Sequence, residues 1–192
     1  ERRDEAVFPG LEWLLGDEVS SGTLDIAAGH PHQKRFVVHP NMITIPAIAV
    51  HGSEGTVGLL WDVHQKWDGT RDRPSALFAS PDRLSNQRSH VMGLFLPTVP
   101  DFVKPNEREA GTPYPLAAGR TVDLTCQIWA DGPQSDAIAP IEQWLQIYGW
   151  PELPPLPRGS YEREIEFSMQ AYLKSLWVAD ERTWWTTKGG GA

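Results

Sequence analysis

The sequence has one cysteine, no long apolar run and no excess of basic residues, and each of these absences excludes a class of protein. Cys126, the only cysteine, cannot form a disulfide within the chain. No apolar run approaches the roughly 18 residues of a transmembrane helix, so we expect no membrane span. Seventeen basic against 25 acidic residues give a formal net charge of −8, which disfavours nucleic acid as a partner.

Motifs for two common chemistries are absent as well. The serines lack the G-x-S-x-G context of an acyl-transfer nucleophile, and residues 189–191 lack the lysine and strand of a phosphate loop. No signal peptide is visible, because the charged residues 1–6 are not followed by an apolar segment. These features alone leave the cellular compartment open.

What the sequence does contain is a pattern of short elements. Seventeen glycines and 17 prolines without a fixed period are typical of an all-β domain. The clearest hairpin pairs residues 42–49 with 56–61. The first of these strands is largely apolar on both faces, which favours a sandwich over an open sheet. Further strand patterns cover residues 23–27, 75–79, 90–96 and 121–129. The sequence predicts a mainly β fold, a two-layer antiparallel β-sandwich over residues 8–131.

The hydrophobic pattern becomes helical after residue 139. Pro140 suits the first turn of a helix and Gly149 suits the position after its end, so residues 140–148 predict a short helix. The next nine residues, 149–157, contain four prolines and predict a stiff, extended connector.

A second helix follows the connector. Ser160 suits its N-cap, and apolar residues at helical spacing predict an amphipathic helix over 160–177. We therefore divide the chain into a β-sandwich domain with a short helix (1–149), a proline-rich connector (150–159) and an amphipathic helix with a frayed tail (160–192). The apolar face needs a cover, and we expect a helical domain downstream or an oligomer partner to supply it.

The sharpest chemical cluster contains two Trp-Asp pairs with a histidine between them: Trp61, Asp62, His64, Trp67 and Asp68. An indole face stacks on a sugar ring and carboxylates accept hydrogen bonds from hydroxyls, so the cluster predicts a carbohydrate contact surface. Strand alternation directs Trp61 toward the core, which makes Trp67, next to a glycine turn, the better stacking candidate. The acidic net charge favours a neutral glycan. The structural alternative is that a tryptophan fills the core and the aspartates cap turns.

The histidines suggest a second function, that of a small metal-dependent jelly-roll enzyme. His30, His32 and His39 would form the metal cluster, with further donors at His51, His64 and His90. A His-x-His pair needs a strand to place both rings on one face, and the neighbouring glycine and proline favour a loop. We therefore predict no metal site and no other cofactor.

Several short motifs occur in the same order as in a known group of proteins. They lie at residues 8–13 (FPGLEW), 17–21 (DEVSS), 78–81 (FASP), 92–97 (MGLFLP), 112–116 (TPYPL) and 172–177 (YLKSLW). This order resembles a segment of large bacterial carbohydrate-active proteins in which a β-sandwich of the supersandwich type precedes an (α/α)6 toroid. Six-hairpin glycosidases and some polysaccharide lyases have this arrangement. The resemblance covers most of the chain and includes no diagnostic catalytic motif.

The resemblance implies that the chain is an accessory or substrate-positioning β-sandwich of a glycoside hydrolase-like or polysaccharide lyase-like protein. The catalytic acid of such proteins lies in the toroid, so no catalytic residue is assigned to this chain. A polysaccharide-degrading protein would be secreted or periplasmic. The metal-dependent enzyme and a structural or interaction domain without a ligand remain possible functions, and either would suit the cytoplasm.

Overall fold

Antiparallel β-strands form most of the regular structure, as the sequence predicted. The computed structural model describes residues 3–20, 35–84, 88–97, 99, 104–112, 114–150, 152 and 155–184. The chain divides into two compact units, Glu1–Gly149 and Trp150–Ala192. The strands of the described ranges form three antiparallel sheets, two of them in the first unit. The predicted strand at 23–27 lies outside the described residues.

The larger sheet has five strands in the order β2-β1-β4-β5-β8. Their bounds are Arg3–Phe8 for β1, Glu12–Leu15 for β2, Ala47–Gly52 for β4, Gly55–Leu60 for β5 and Gln127–Asp131 for β8. The β4–β5 hairpin confirms the predicted hairpin. Its first strand begins at residue 47 rather than 42. The ladder begins at residue 47 because the preceding segment contains a 3-10 turn, Pro40–Met42, and a proline at 46 that lacks a backbone donor.

The strand predicted over 121–129 begins later in the structure, where it is β8 (Gln127–Asp131). The ladder between β5 and β8 begins with the pair Leu60 and Gln127, where β5 ends, so the residues before 127 have no strand beside them. The Gln65 side chain instead exchanges two hydrogen bonds with the main chain of Thr125, at 2.9 and 2.8 Å. The prediction of an earlier start was wrong because the length of a strand depends on its partner.

The smaller sheet has the order β3-β6-β7, with bounds Val37–Val38, Ser75–Ala79 and Val91–Phe95. The predicted strands at 75–79 and 90–96 are confirmed. Its apolar side chains face the larger sheet across a shared core, which makes the unit a two-layer sandwich. The buried members of this core are Ala6, Phe8, Leu14, Val38, Ile43, Ile48, Leu59, Trp61, Ala76 and Phe78. The Phe8 ring meets the rings of Trp61 and Phe78 edge-on, with centroids 6.3 and 6.2 Å apart.

A helix covers the opposite face of the larger sheet. This helix, α2 (Ala139–Tyr148), confirms the prediction for 140–148 and packs Trp144 against Ala47 and Leu60. Gly58 permits the close approach, since a Cβ at that position would lie 2.5 Å from Cβ of Pro140. The central hairpin is therefore covered on both faces, as its apolar pattern predicted. A shorter helix, α1 (Glu107–Ala110), follows a 3-10 turn at Lys104–Asn106.

The second unit contains the amphipathic helix. It begins with α3 (Tyr161–Gln170) and continues as a π-helical segment, Ala171–Leu176. The Ser160 hydroxyl accepts a hydrogen bond from the backbone N–H of Arg163 at 3.3 Å, which confirms the predicted N-cap. Two short strands follow, β9 (Trp177–Val178) and β10 (Thr183–Trp184). None of the helices in the described ranges combines the length and apolar composition needed to cross a bilayer.

Candidate functional site

The predicted Trp-Asp cluster lies in a long loop that leaves β5 and ends where β6 begins. Both aspartates hold turns in this loop. Asp62 Oδ1 accepts a hydrogen bond from the backbone N–H of His64 at 2.8 Å. Asp68 Oδ1 accepts from the backbone N–H and the hydroxyl of Thr70, both at 2.9 Å, and from the backbone N–H of Arg71 at 2.6 Å. The backbone bond from Arg71, together with those from Thr70, lowers the pKa of Asp68 to about 2.

Trp61 lies in the core, as strand alternation predicted. Its side chain is 0 % exposed and belongs to the cluster between the two sheets. Its carbonyl accepts a hydrogen bond of 2.8 Å from Nε1 of Trp144, which ties the first residue of the loop to helix α2. A ligand has no access to this indole, so its contribution is to stability.

Trp67, the better stacking candidate from the sequence, is also covered. Its side chain is 4 % exposed, because the loop folds back on it. Nε1 donates to the carbonyl of Asp72 at 3.0 Å, and the ring packs against Tyr114 with centroids 5.2 Å apart. Asp123 N–H donates to the Trp67 carbonyl at 2.8 Å. Trp67 lines a cavity, and the contact with a glycan assigned to it stays a prediction.

This cavity has a volume of about 460 Å³ and lies at the end of the smaller sheet where β6 begins and β7 ends. Four parts of the chain meet there. The loop and the start of β6 contribute Trp67, Arg71, Asp72, Arg73 and Ser75. The end of β7 and the residues after it contribute Phe95, Leu96, Pro97 and Val99. The 3-10 turn at Pro40–Met42 contributes Pro40 and Asn41, and α1 and the residues after it contribute Arg108 and Thr112. The lining therefore combines aromatic and aliphatic surface with hydroxyl, amide and charged groups.

The charge of the lining is opposite to that of the chain. Arg71, Arg73 and Arg108 against Asp72 give the cavity a formal charge of +2, in a chain of net charge −8. Asp72 Oδ2 lies 3.5 Å from Lys66 Nζ, on the loop outside the cavity lining. None of the three arginines forms an ion pair with another residue in the described part of the chain. The lining therefore has an excess of positive charge, and the Asp68 carboxylate, outside the lining, interacts electrostatically with Arg71.

The backbone at Arg73 is unusual. Its φ of 57° lies in the left-handed region, which non-glycine residues adopt at a cost of about 1 kcal/mol or more. A hydrogen bond of 2.8 Å from its N–H to the carbonyl of Val63, and the buried Pro74 that follows, hold this conformation. Residues in such conformations cluster at binding and catalytic sites.

The other residues of the predicted cluster lie outside the lining. Asp62, His64 and Asp68 belong to the same loop but do not border the cavity, so Trp67 is the predicted site residue that does. Sequence reasoning missed the arginines. The run Arg71-Asp-Arg73, separated from the Trp-Asp-Gly turn by Thr70, carried a signal for two of them. No local pattern connects Arg108 to this loop.

The histidines that the structure describes lie in separate parts of the first unit. His30 and His32 lie outside the described residues. Nδ1 of His39 accepts a hydrogen bond of 3.1 Å from a backbone N–H of its own turn. Nδ1 of His51 and Nδ1 of His90 each contact a hydroxyl, at 2.8 and 2.9 Å. Within the ranges that the structure describes, no group of three or more His, Cys, Asp or Glu side chains is placed to hold a metal ion.

Comparison with known proteins gives no match to a family model, to a curated protein or to a solved structure.

Proposed function

We propose that this chain is an accessory, substrate-positioning β-sandwich of a carbohydrate-active protein, and that it contacts a saccharide in the cavity beside Trp67. The observation that carries the proposal is the lining of this cavity. Its volume of about 460 Å³ falls within the range of about 300 to 1,000 Å³ found for small-molecule sites. The motif order that resembles bacterial carbohydrate-active proteins supports the same class of ligand.

The chemistry of the lining suits a sugar ring. A pyranose has apolar C–H surface and many hydroxyls, and it needs aromatic contact together with hydrogen-bonding groups. Trp67 and Phe95 supply the aromatic surface, and Asn41, Thr112 and Asp72 supply the amide, hydroxyl and carboxylate groups. In this proposal Trp67 forms part of the wall rather than an exposed platform.

The same lining favours binding over hydrolysis. Most glycoside hydrolases use two carboxylic acids on opposite sides of the scissile bond. Asp72 is the one carboxylate among the described residues that line the cavity. This agrees with a role in positioning a substrate for residues elsewhere in a larger protein.

An interaction domain is the second candidate role, and the second unit favours it. Six large side chains of its helical segment are more than half exposed: Tyr161, Ile165, Phe167, Met169, Tyr172 and Leu173. Apolar surface of this extent is usually covered by a partner. A neighbouring helical domain or a second copy of the chain would supply that cover.

A glycan-binding screen with two matched variants tests the proposed function. Thr112→Trp places a large side chain at the cavity, whereas Thr121→Trp makes the same change at an exposed position outside the lining. We expect the unmodified chain and Thr121→Trp to retain the same glycan, and Thr112→Trp to lose it with an unchanged thermal midpoint. Retention of no glycan by the unmodified chain, or equal retention by Thr112→Trp, contradicts the proposal.

A further inference from the structure

We infer that the cavity selects an acidic saccharide, one whose sugar carries an anionic substituent such as a carboxylate or a sulfate ester, and that Arg71, Arg73 and Arg108 hold this group. The inference rests on the proposed function and narrows its ligand class. It replaces the expectation of a neutral glycan, which came from the net charge of the whole chain.

Three arginines from two segments of the chain line the cavity. Arg71 and Arg73 come from the loop after β5, and Arg108 comes from α1, more than 30 residues further along the chain. Like charges at one concave surface repel each other unless a counter-charge is present. The cavity's own carboxylate, Asp72, is shared with groups outside the lining, since Lys66 Nζ lies 3.5 Å and His64 Nδ1 lies 3.8 Å from its Oδ2. The Asp68 carboxylate offsets part of the charge of Arg71. An anionic ligand would offset the positive charge that remains.

One of the arginines, Arg71, is positioned before a ligand binds. The Cζ atom of Arg71 lies 4.7 Å from the centroid of the Tyr114 ring, so the guanidinium stacks on an aromatic face. Tyr114 is itself held between Trp67 and Arg120, whose Nη1 donates to the tyrosine hydroxyl at 3.2 Å. The left-handed backbone of Arg73 fixes the direction in which its side chain leaves the main chain. A guanidinium that is already oriented loses less conformational entropy when it binds.

The shape of a guanidinium matches that of an acidic substituent. A guanidinium presents paired N–H donors that match two oxygens of a carboxylate or a sulfate. Whole-chain charge acts at long range and is screened over about 10 Å at ordinary ionic strength, so the groups in contact with the ligand decide selectivity. The aromatic wall would contact the sugar ring while the arginines bind its acidic substituent.

Calorimetric titration with matched ligands tests the inference. The probes are a galacturonate trisaccharide, its methyl ester and a sulfated neutral trisaccharide. Because hydrogen bonds between charged groups are about twice as strong as neutral ones, we expect one of the two anionic probes to bind at least about tenfold more tightly than the ester. The tighter of the two identifies the substituent.

Two charge-removing variants complete the test. Arg108→Gln should weaken the anionic probe about tenfold or more and leave the ester within about twofold. Arg163→Gln removes the same charge from an exposed position of the second unit and should change neither. Far-ultraviolet circular dichroism checks that each variant folds, and Arg108→Lys should restore part of the affinity. Equal binding of acid and ester overturns the inference and leaves the proposed function intact, whereas binding of no probe overturns both.

Discussion

Trp61-Asp62 and Trp67-Asp68 are the same dipeptide six residues apart, and the fold uses them differently. Trp61 directly follows β5 and keeps the alternation of that strand, so its ring enters the core between the sheets. Trp67 follows a turn, and its ring is covered by the returning loop and by Tyr114, beside the cavity. The difference teaches that a residue at a strand end inherits its direction from the sheet, whereas a loop residue depends on which segments close over it.

The largest expected effect that separates the two pairs is on stability. Trp61→Ala should lower the free energy of unfolding by about 3 to 5 kcal/mol, because it leaves a cavity in the core and removes the edge-on contact with Phe8. Urea denaturation followed by circular dichroism measures it. As a control, Trp150→Ala should have little effect, since that side chain is 82 % exposed. A loss below about 1 kcal/mol at Trp61 would show that the ring is not packed as described.

Trp67→Ala should have a smaller effect on stability and a large effect on binding. We expect a loss of about 2 to 3 kcal/mol, below the value for a tryptophan enclosed on all sides, because Trp67 lines the cavity. The variant should still fold, and the saccharide retained by the unmodified chain should be lost. The two readouts are urea denaturation and the glycan screen. Unchanged glycan retention would exclude Trp67 from the site.

The smallest expected effect compares the two aspartates through pH. The pKa of Asp68 in the folded chain, about 2, lies below the value of about 3.9 for an unfolded aspartate. Its stabilising contribution is therefore present above about pH 4 and is lost as the pH falls through about 2. The difference in urea midpoint between the unmodified chain and Asp68→Ala should be constant near neutral pH and shrink across that window. A constant difference down to pH 2 would contradict the assigned hydrogen bonds.

Asp62→Ala is the matched control for that titration. Asp62 Oδ1 receives a single backbone N–H, from His64, whereas Asp68 Oδ1 receives three donors. We therefore expect a smaller shift of the urea midpoint at neutral pH for Asp62→Ala than for Asp68→Ala.

The fold could be predicted where its determinants are local. Alternation of apolar side chains identified the central hairpin, helical spacing identified α2, and Ser160 marked the start of α3. Element ends were less predictable. The strand expected from residue 121 begins at 127, because β5 provides no partner beyond Leu60. Strands β1 and β2 were not predicted, although they bring Phe8 and Leu14 into the core.

The sequence by itself determined the sheet-forming segments, the turns capped by the two aspartates and the direction of Trp61, because alternation and short-range hydrogen bonds act between near neighbours. Only the tertiary structure decided the burial of Trp67 and the meeting of Arg71, Arg73 and Arg108 at one cavity. Tyr114 and Arg108 reach that loop from segments more than 30 residues away in the chain. Local periodicity carries no information about such contacts, since they depend on how the segments after β7 close over the end of the sandwich.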